Sequence, residues 1–201
     1  MDRDSLEATA VERRRGRPRS EAADEAILNA TVELLTEQGF LALTVEAVAA
    51  RAGVAKTTVY RRWANKDELL MDAVGCIKGP PADPPGESVR GDLLWMLNRM
   101  RDAWFTGQMG RLMGRLAADG IERPDLYREG RERFVAPRHA VLRRVIARGV
   151  DEGSVRADVD PEWVIAMLVS PVISAALTHQ DPISRRQVEF IVDTVLRGVA
   201  P

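Results

Sequence analysis

The sequence predicts an all-α protein of about nine helices, an N-terminal three-helix unit followed by a larger helical C-terminal unit. Three observations carry that expectation. Apolar residues recur at helical spacing from Ile27 to Val199, and no strand-like alternation survives inspection. Residues that favour helix starts (Ser20, Thr44, Asn65, Ser88, Asp160, Ser184) stand at the head of these stretches. Between the two units lies GPPADPPG, residues 79–86. Its four prolines and two glycines in eight residues fit neither helix nor central strand.

Taken in order, residues 1–12 are polar and aperiodic, and Arg13–Arg19 (RRRGRPR) holds five arginines and no acid. Gly16 and Pro18 interrupt that run, so residues 1–19 are expected to form a flexible arm that is not helical. Ser20 caps the first helix, with Glu21, Asp24 and Glu25 in its opening turns, where the helix dipole favours acids. Ile27, Leu28, Thr31, Leu34 and Leu35 form one face, and Gly39 ends it. Thr44 opens a second helix carrying Val45, Val48, Ala49 and Ala52, and Gly53 turns the chain. The run Lys56–Trp63 forms the third, with Val59 and Trp63 on one side. Asn65 and Glu68 make an Asn-x-x-Glu capping box for a fourth helix that reaches about Ile77. Residues 20–78 are therefore one unit, 79–87 a linker and 88–201 the second unit.

In that second unit Ser88 opens a helix that Gly107 ends, and Gln108 to Gly120 forms a shorter one. Pro124 starts a long helix that ends near Gly153 and bends at Pro137. Asp160 caps the next, with Pro161 at its first position, and Ser184 begins the last.

Two short helices joined by a glycine turn are a helix-turn-helix. Between Ala47 and Lys66 there are five basic residues and no acid, whereas residues 21–46 carry six acids and no base. A net charge of −1 therefore hides a local cationic surface suited to phosphates. With Val59 and Trp63 turned inward, Thr57, Thr58, Tyr60, Arg61 and Arg62 are left facing out. Thr57, Thr58 and Arg61 suit base edges, Arg61 pairing best with guanine, while the Tyr60 hydroxyl, Lys66 and the amides opening the fourth helix suit phosphates. An arginine arm directly before such a unit, with Arg15 and Arg17, suits a narrow minor groove.

The stretch GVAKTTVYRRWANKDEL resembles the recognition-helix signature of the TetR family of bacterial transcriptional repressors, strongly over residues 20–75 and more weakly to the C-terminus. Gly53, Val54, Lys56, Thr58, Tyr60, Lys66 and Glu68 match it, and Val59 and Trp63 match it chemically. Ala55 departs from it, standing where the family usually has a capping serine, a loss of about 1 kcal/mol of local helix stability. The resemblance implies DNA contacts at Lys56, Thr57, Thr58, Tyr60, Arg61, Arg62 and Lys66, with Thr44 reaching a phosphate. It also implies a homodimer on a palindromic double-stranded operator, released by a small-molecule effector through the fourth helix. A helical ligand-binding protein without DNA binding, or a constitutive DNA binder without an effector, are the alternatives.

Trp95, Arg99, Met100, Trp104, Met113, Phe134 and Met167 are the candidate lining of a pocket for an apolar or aromatic effector, aromatic rings and thioethers supplying adaptable surface. Arg138, His139 and His179 are candidate polar anchors. The seven arginines between Arg128 and Arg148 read as a solvated outer face. Trp163–Leu177 is apolar nearly all round and calls for a partner's cover, so Trp163, Val172 and Ala176, with Val188, Ile191, Val192 and Val195 of the last helix, are the expected dimer interface. The single cysteine, Cys76, excludes an internal disulfide framework, and no apolar run reaches the length of a membrane span, so a cytoplasmic location is expected. No His/Cys/acid cluster has metal-ligand spacing and no nucleophile has an activating base, so no metal, cofactor or catalysis is expected.

Overall fold

The computed structural model describes residues 17–105, 109–178 and 181–201. Every regular element in them is helical. The N-terminal unit comprises α1 (Arg17–Ala42), α2 (Val45–Arg51), α3 (Lys56–Tyr60) and α4 (Lys66–Lys78). The C-terminal unit comprises α5 (Val89–Phe105), α6 (Met109–Asp119), α7 (Pro124–Gly130), α8 (Ala136–Asp151), α9 (Pro161–Leu177) and α10 (Arg185–Gly198). A π-helical turn, Arg131–Val135, joins α7 to α8, so Pro124–Asp151 is one continuous helix. Pro137 stands one residue beyond that turn, after Ala136. It cannot donate to the carbonyl four residues back, and the wider π turn, in which Ala136 N–H bonds the Arg131 carbonyl, makes room for its ring.

The caps lie where short polar side chains stand. Thr44 accepts from Ala47 N–H, Asn65 from Glu68 N–H, Asp160 from Glu162 N–H, and Ser184 forms a full capping box with Gln187. At α4 the box is shifted: the Glu68 carboxylate accepts from Ala64 N–H at 2.9 Å, not from Asn65. The helix also starts earlier than the arginine run implied. Arg17 opens α1 and Pro18 falls in its first turn, the one place in a helix where a missing N–H is harmless.

Gly39 breaks α1 with φ 81°, and a Cβ there would stand 3.0 Å from the Asp119 carboxylate, so only glycine fits. Residues 79–88 are non-helical, as the proline run requires. The cores do not divide at that linker, however. Ile27, Leu35, Phe40, Val48, Val59, Trp63 and Leu69 form one cluster that continues into Leu112, Leu126 and Phe134 of the C-terminal unit. A second cluster joins α5, α8, α9 and α10 through Leu93, Ile146, Ile165, Leu168, Val188 and Val192. The N-terminal unit expected over residues 20–78 is thus closed from below by α6, α7 and the π turn.

Candidate nucleic-acid interface and adjoining cavity

Gly53, at φ 66°, turns the chain from α2 into α3. Val59 and Trp63 are buried, and the Trp63 indole N–H is satisfied by Asp72 of α4 at 2.9 Å. Thr57, Tyr60 and Arg61 are exposed and Thr58 is partly so, which leaves their side chains on the outward surface. No side chain caps α3 at Ala55. Lys56 is exposed, paired with Glu46 of α2 and 5.5 Å from the Tyr60 ring centre. A surface pair of this kind contributes little, so a phosphate can take the carboxylate's place. Thr44 is exposed and its hydroxyl is spent on the α2 cap.

Two expected contacts are corrected. Arg62 points back into the unit: its side chain is 14% exposed, pairs with Asp24 of α1 and donates to the Thr58 carbonyl. Lys66 is half-buried and donates to the carbonyls of Phe40 and Leu43, at 3.0 and 3.2 Å, above the Phe40 ring. Burial pushes its ammonium pKa down. Arg62 thus ties the end of the α3 segment to the early turns of α1, and Lys66 ties the start of α4 to the end of α1, where outward cations were expected. Arg15 lies outside the described residues, and Arg17 belongs to α1.

Beneath α4 lies a cavity of about 400 Å³, bounded by α4, α6, α7, the π turn, α8 and α9. Leu70, Met71, Val74, Leu126, Phe134 and Ile173 give it an apolar wall, and Lys78, Asp119, Arg123, Tyr127, Arg131 and His139 are the charged or titratable groups on its lining. A second cavity of about 230 Å³, on the side of α5 and the linker, shares Lys78, Trp104, Phe134 and His139 with it. Of the expected pocket residues, Trp104, Met113 and Phe134 line the larger cavity, and Trp95, Arg99, Met100, Trp104 and Phe134 line the smaller. Met167 lines neither; it is 48% exposed on the outer side of α9. His139 is a wall residue whose pKa burial pulls down. His179 lies outside the described residues.

Arginines tie the cavity walls to α4 along its whole length. Arg123 reaches Asp67 at 2.8 Å, Arg133 reaches Asp72 at 2.7 Å, and the Arg138 fork caps the carbonyls of Lys78 and Gly79 at 2.7 Å. At the other end the Asp119 carboxylate accepts from Phe40 N–H at 2.6 Å, just past the Gly39 kink. The arginines of α8 are likewise engaged: Arg143 with Glu162, Arg144 with Asp83, Arg148 with buried Asp92. Arg128, Arg131, Arg133, Arg143 and Arg144 are exposed, as the solvated-face reading expects, and only Arg138 and Arg148 are half-buried; on that face the arginines also make a set of ties between segments. Arginine spacing alone gave no sign of it, because the carboxylate partners come from remote segments.

The expected dimer surface is also redrawn. Val172, Val188 and Val192 are fully buried within the chain's own core and Val195 nearly so, which removes them from any contact between chains. Ile191 and Ala176 are partly buried. The apolar side chains that α9 and α10 leave in solvent are Trp163 (70% exposed), Met167, Leu177 and Phe190 (67% exposed). Periodicity found the apolar face of α10 but not its direction, and Phe190 went unnoticed because it stands alone on the polar side.

Among the described residues no group of three or more His, Cys, Asp or Glu can hold a metal, and no helix is long and apolar enough to cross a membrane.

Two family models match the chain. Residues 27–73 match the model of bacterial regulatory proteins of the tetR family, and residues 83–195 match that of a tetracyclin repressor-like C-terminal domain. The chain is 31% identical to the HTH-type transcriptional regulator YdeS of Bacillus subtilis (strain 168), over 94% of this chain and 96% of that one. It resembles the crystal structure of the TetR family transcription regulator SCO0332, with 30% identity, 89% and 99% of the two chains covered, and a TM-score of 0.64. NalD, the secondary repressor of the MexAB-OprM multidrug efflux pump in Pseudomonas aeruginosa, shares the fold at 21% identity, 90% and 98% coverage, and a TM-score of 0.73.

Proposed function

Because the chain belongs to the TetR family of DNA-binding transcriptional regulators, we propose that it is a cytoplasmic repressor that binds a palindromic operator as a homodimer. In this reading a small molecule in the cavity under α4 releases it. Its activity is binding, with no catalytic step. Thr57, Thr58 and Arg61 meet base edges, and Tyr60, Lys56 and the amides opening α4 meet phosphates. Thr44 flanks them, and the arm that includes Arg15 enters the minor groove.

Pairing of two chains through Trp163, Met167 and Phe190 buries the apolar stripe that one chain leaves in water, with α9 and α10 forming half of a four-helix bundle. That arrangement fixes the distance between two copies of α3, which must match successive major grooves about 34–36 Å apart or somewhat wider.

The observation that carries the regulatory reading is the attachment of α4 to Arg123, Arg133 and Arg138. Each belongs to the segment that walls the cavity, so a ligand that displaces the wall shifts α4 and, through the Trp63–Asp72 hydrogen bond, the α3 segment. The expected coupling is about 1–3 kcal/mol between effector and operator affinity. Selection of bound duplexes from a random pool, followed by anisotropy titration of Arg61→Ala, tests the DNA half. Specificity should relax at one base position while phosphate-driven salt dependence is retained. Failure to enrich any palindrome would overturn it.

A further inference from the structure

The two cavities share a wall in which one cation lacks a counter-charge. Lys78 lines both, at the last residue of α4, and its ammonium has no hydrogen-bond or ion-pair partner among the described residues. The other charges nearby are already spent. Arg138 gives its guanidinium to the carbonyls of Phe134, Lys78 and Gly79, and Arg123 is held by Asp67 and Asp125. Asp119, the only carboxylate on either lining among the described residues, accepts from Phe40 N–H at the far end of the larger cavity. Arg99, Arg131 and His139 add further basic groups to the walls. The α4 C-terminus favours a cation, but its last carbonyls are taken by Arg138. A half-buried ammonium without an anion is an unfavourable arrangement that a ligand can relieve.

We propose that the effector is an amphiphilic carboxylate, its anionic group against Lys78 on the shared wall and its apolar body among Leu70, Val74, Phe134 and Ile173. The proposal rests on the reading of this cavity as the effector site. The expectation of a merely apolar or aromatic ligand is thereby narrowed to one carrying a negative charge. An aliphatic or an aromatic body satisfies the same chemistry, and the probes below separate them.

Isothermal calorimetry on the full chain would compare decanoate with decan-1-ol, and 2-naphthoate with 2-naphthalenemethanol, for the unaltered protein, Lys78→Met and Lys78→Gln. At least one carboxylate should bind about tenfold or more tightly than its alcohol, and both substitutions should erase that preference while the alcohol's affinity stays or improves. The pair that shows the preference identifies the body. The proposal is overturned if alcohols bind as tightly as carboxylates, if the preference survives both substitutions, or if none of the four binds. Anisotropy on the selected duplex, run in parallel, separates the two readings. Equal release of DNA by alcohol and carboxylate defeats the charge assignment alone. A carboxylate that binds through Lys78 without releasing DNA defeats regulated release alone.

Discussion

Replacing Lys78 by methionine should stabilise the ligand-free protein. Burial, followed by the nearby Arg138 cation, brings the Lys78 ammonium down to about 8 from its ordinary 10.5. At ~1.4 kcal/mol per pKa unit, the folded chain carries a cost of roughly 3 kcal/mol at neutral pH. The side chain is not wholly enclosed, so about 2 kcal/mol is the working figure. Lys78 is a base whose folded pKa is depressed. Its cost is therefore complete below about pH 8, shrinks between 8 and 10.5 as the unfolded chain alone binds the proton, and is gone above that. On the surrounding walls Arg99, Arg123, Arg131, Arg138 and His139 are basic, and the acidic or phenolic groups there, Asp119 and Tyr127, make no hydrogen bond or ion pair with Lys78 among the described residues, so the sign stands. Thermal melts at pH 7 should show Lys78→Met higher by about 4–8 °C, with the gain much reduced at pH 10. A lower melting temperature at pH 7, or a gain that is the same at both pH values, would refute the reasoning.

Three further outcomes follow from other parts of the molecule. Phe190→Glu together with Trp163→Glu should leave a folded, helical chain that sediments as a monomer, because both side chains lie outside the core; an unchanged dimer would show that the interface is elsewhere. Asp119→Ala removes the acceptor for Phe40 N–H and should lower stability by about 1–3 kcal/mol in denaturant titrations, together with a weaker response of operator affinity to effector. Asp92→Ala should be severe, about 3–5 kcal/mol, since this buried carboxylate (1% exposed) holds both Arg148 at 2.6 Å and Gly86 N–H at 2.9 Å; chemical denaturation checks it.

The helices were legible because their caps and periods are local properties. Thr44, Asn65, Asp160 and Ser184 announce helix starts through short side chains that reach amides two or three residues on, and no distant contact can cancel that. The start of α1 was misjudged because a proline was read as a breaker where the first turn tolerates it.

Direction was harder to read than periodicity. The apolar stripe Val188–Val192–Val195 was recognised, yet whether it met its own chain or another depended on the size of the core left by α5, α8 and α9. Electrostatic partners were harder still. Arg62 and Lys66 carry the charge expected of a DNA contact, and only the fold brings Asp24 and the Phe40 and Leu43 carbonyls within reach. The same holds for Asp119, which no motif singles out and whose importance arises from the Gly39 kink it meets.

Regulation by a dimer requires that two copies of α3 read DNA at once. Anisotropy titration should compare a selected palindromic duplex with the same duplex reduced to one half-site, at fixed salt. Two chains should bind the full palindrome, with affinity at least about a hundredfold above that for the half-site. One chain per duplex, with equal affinity for both, would contradict it.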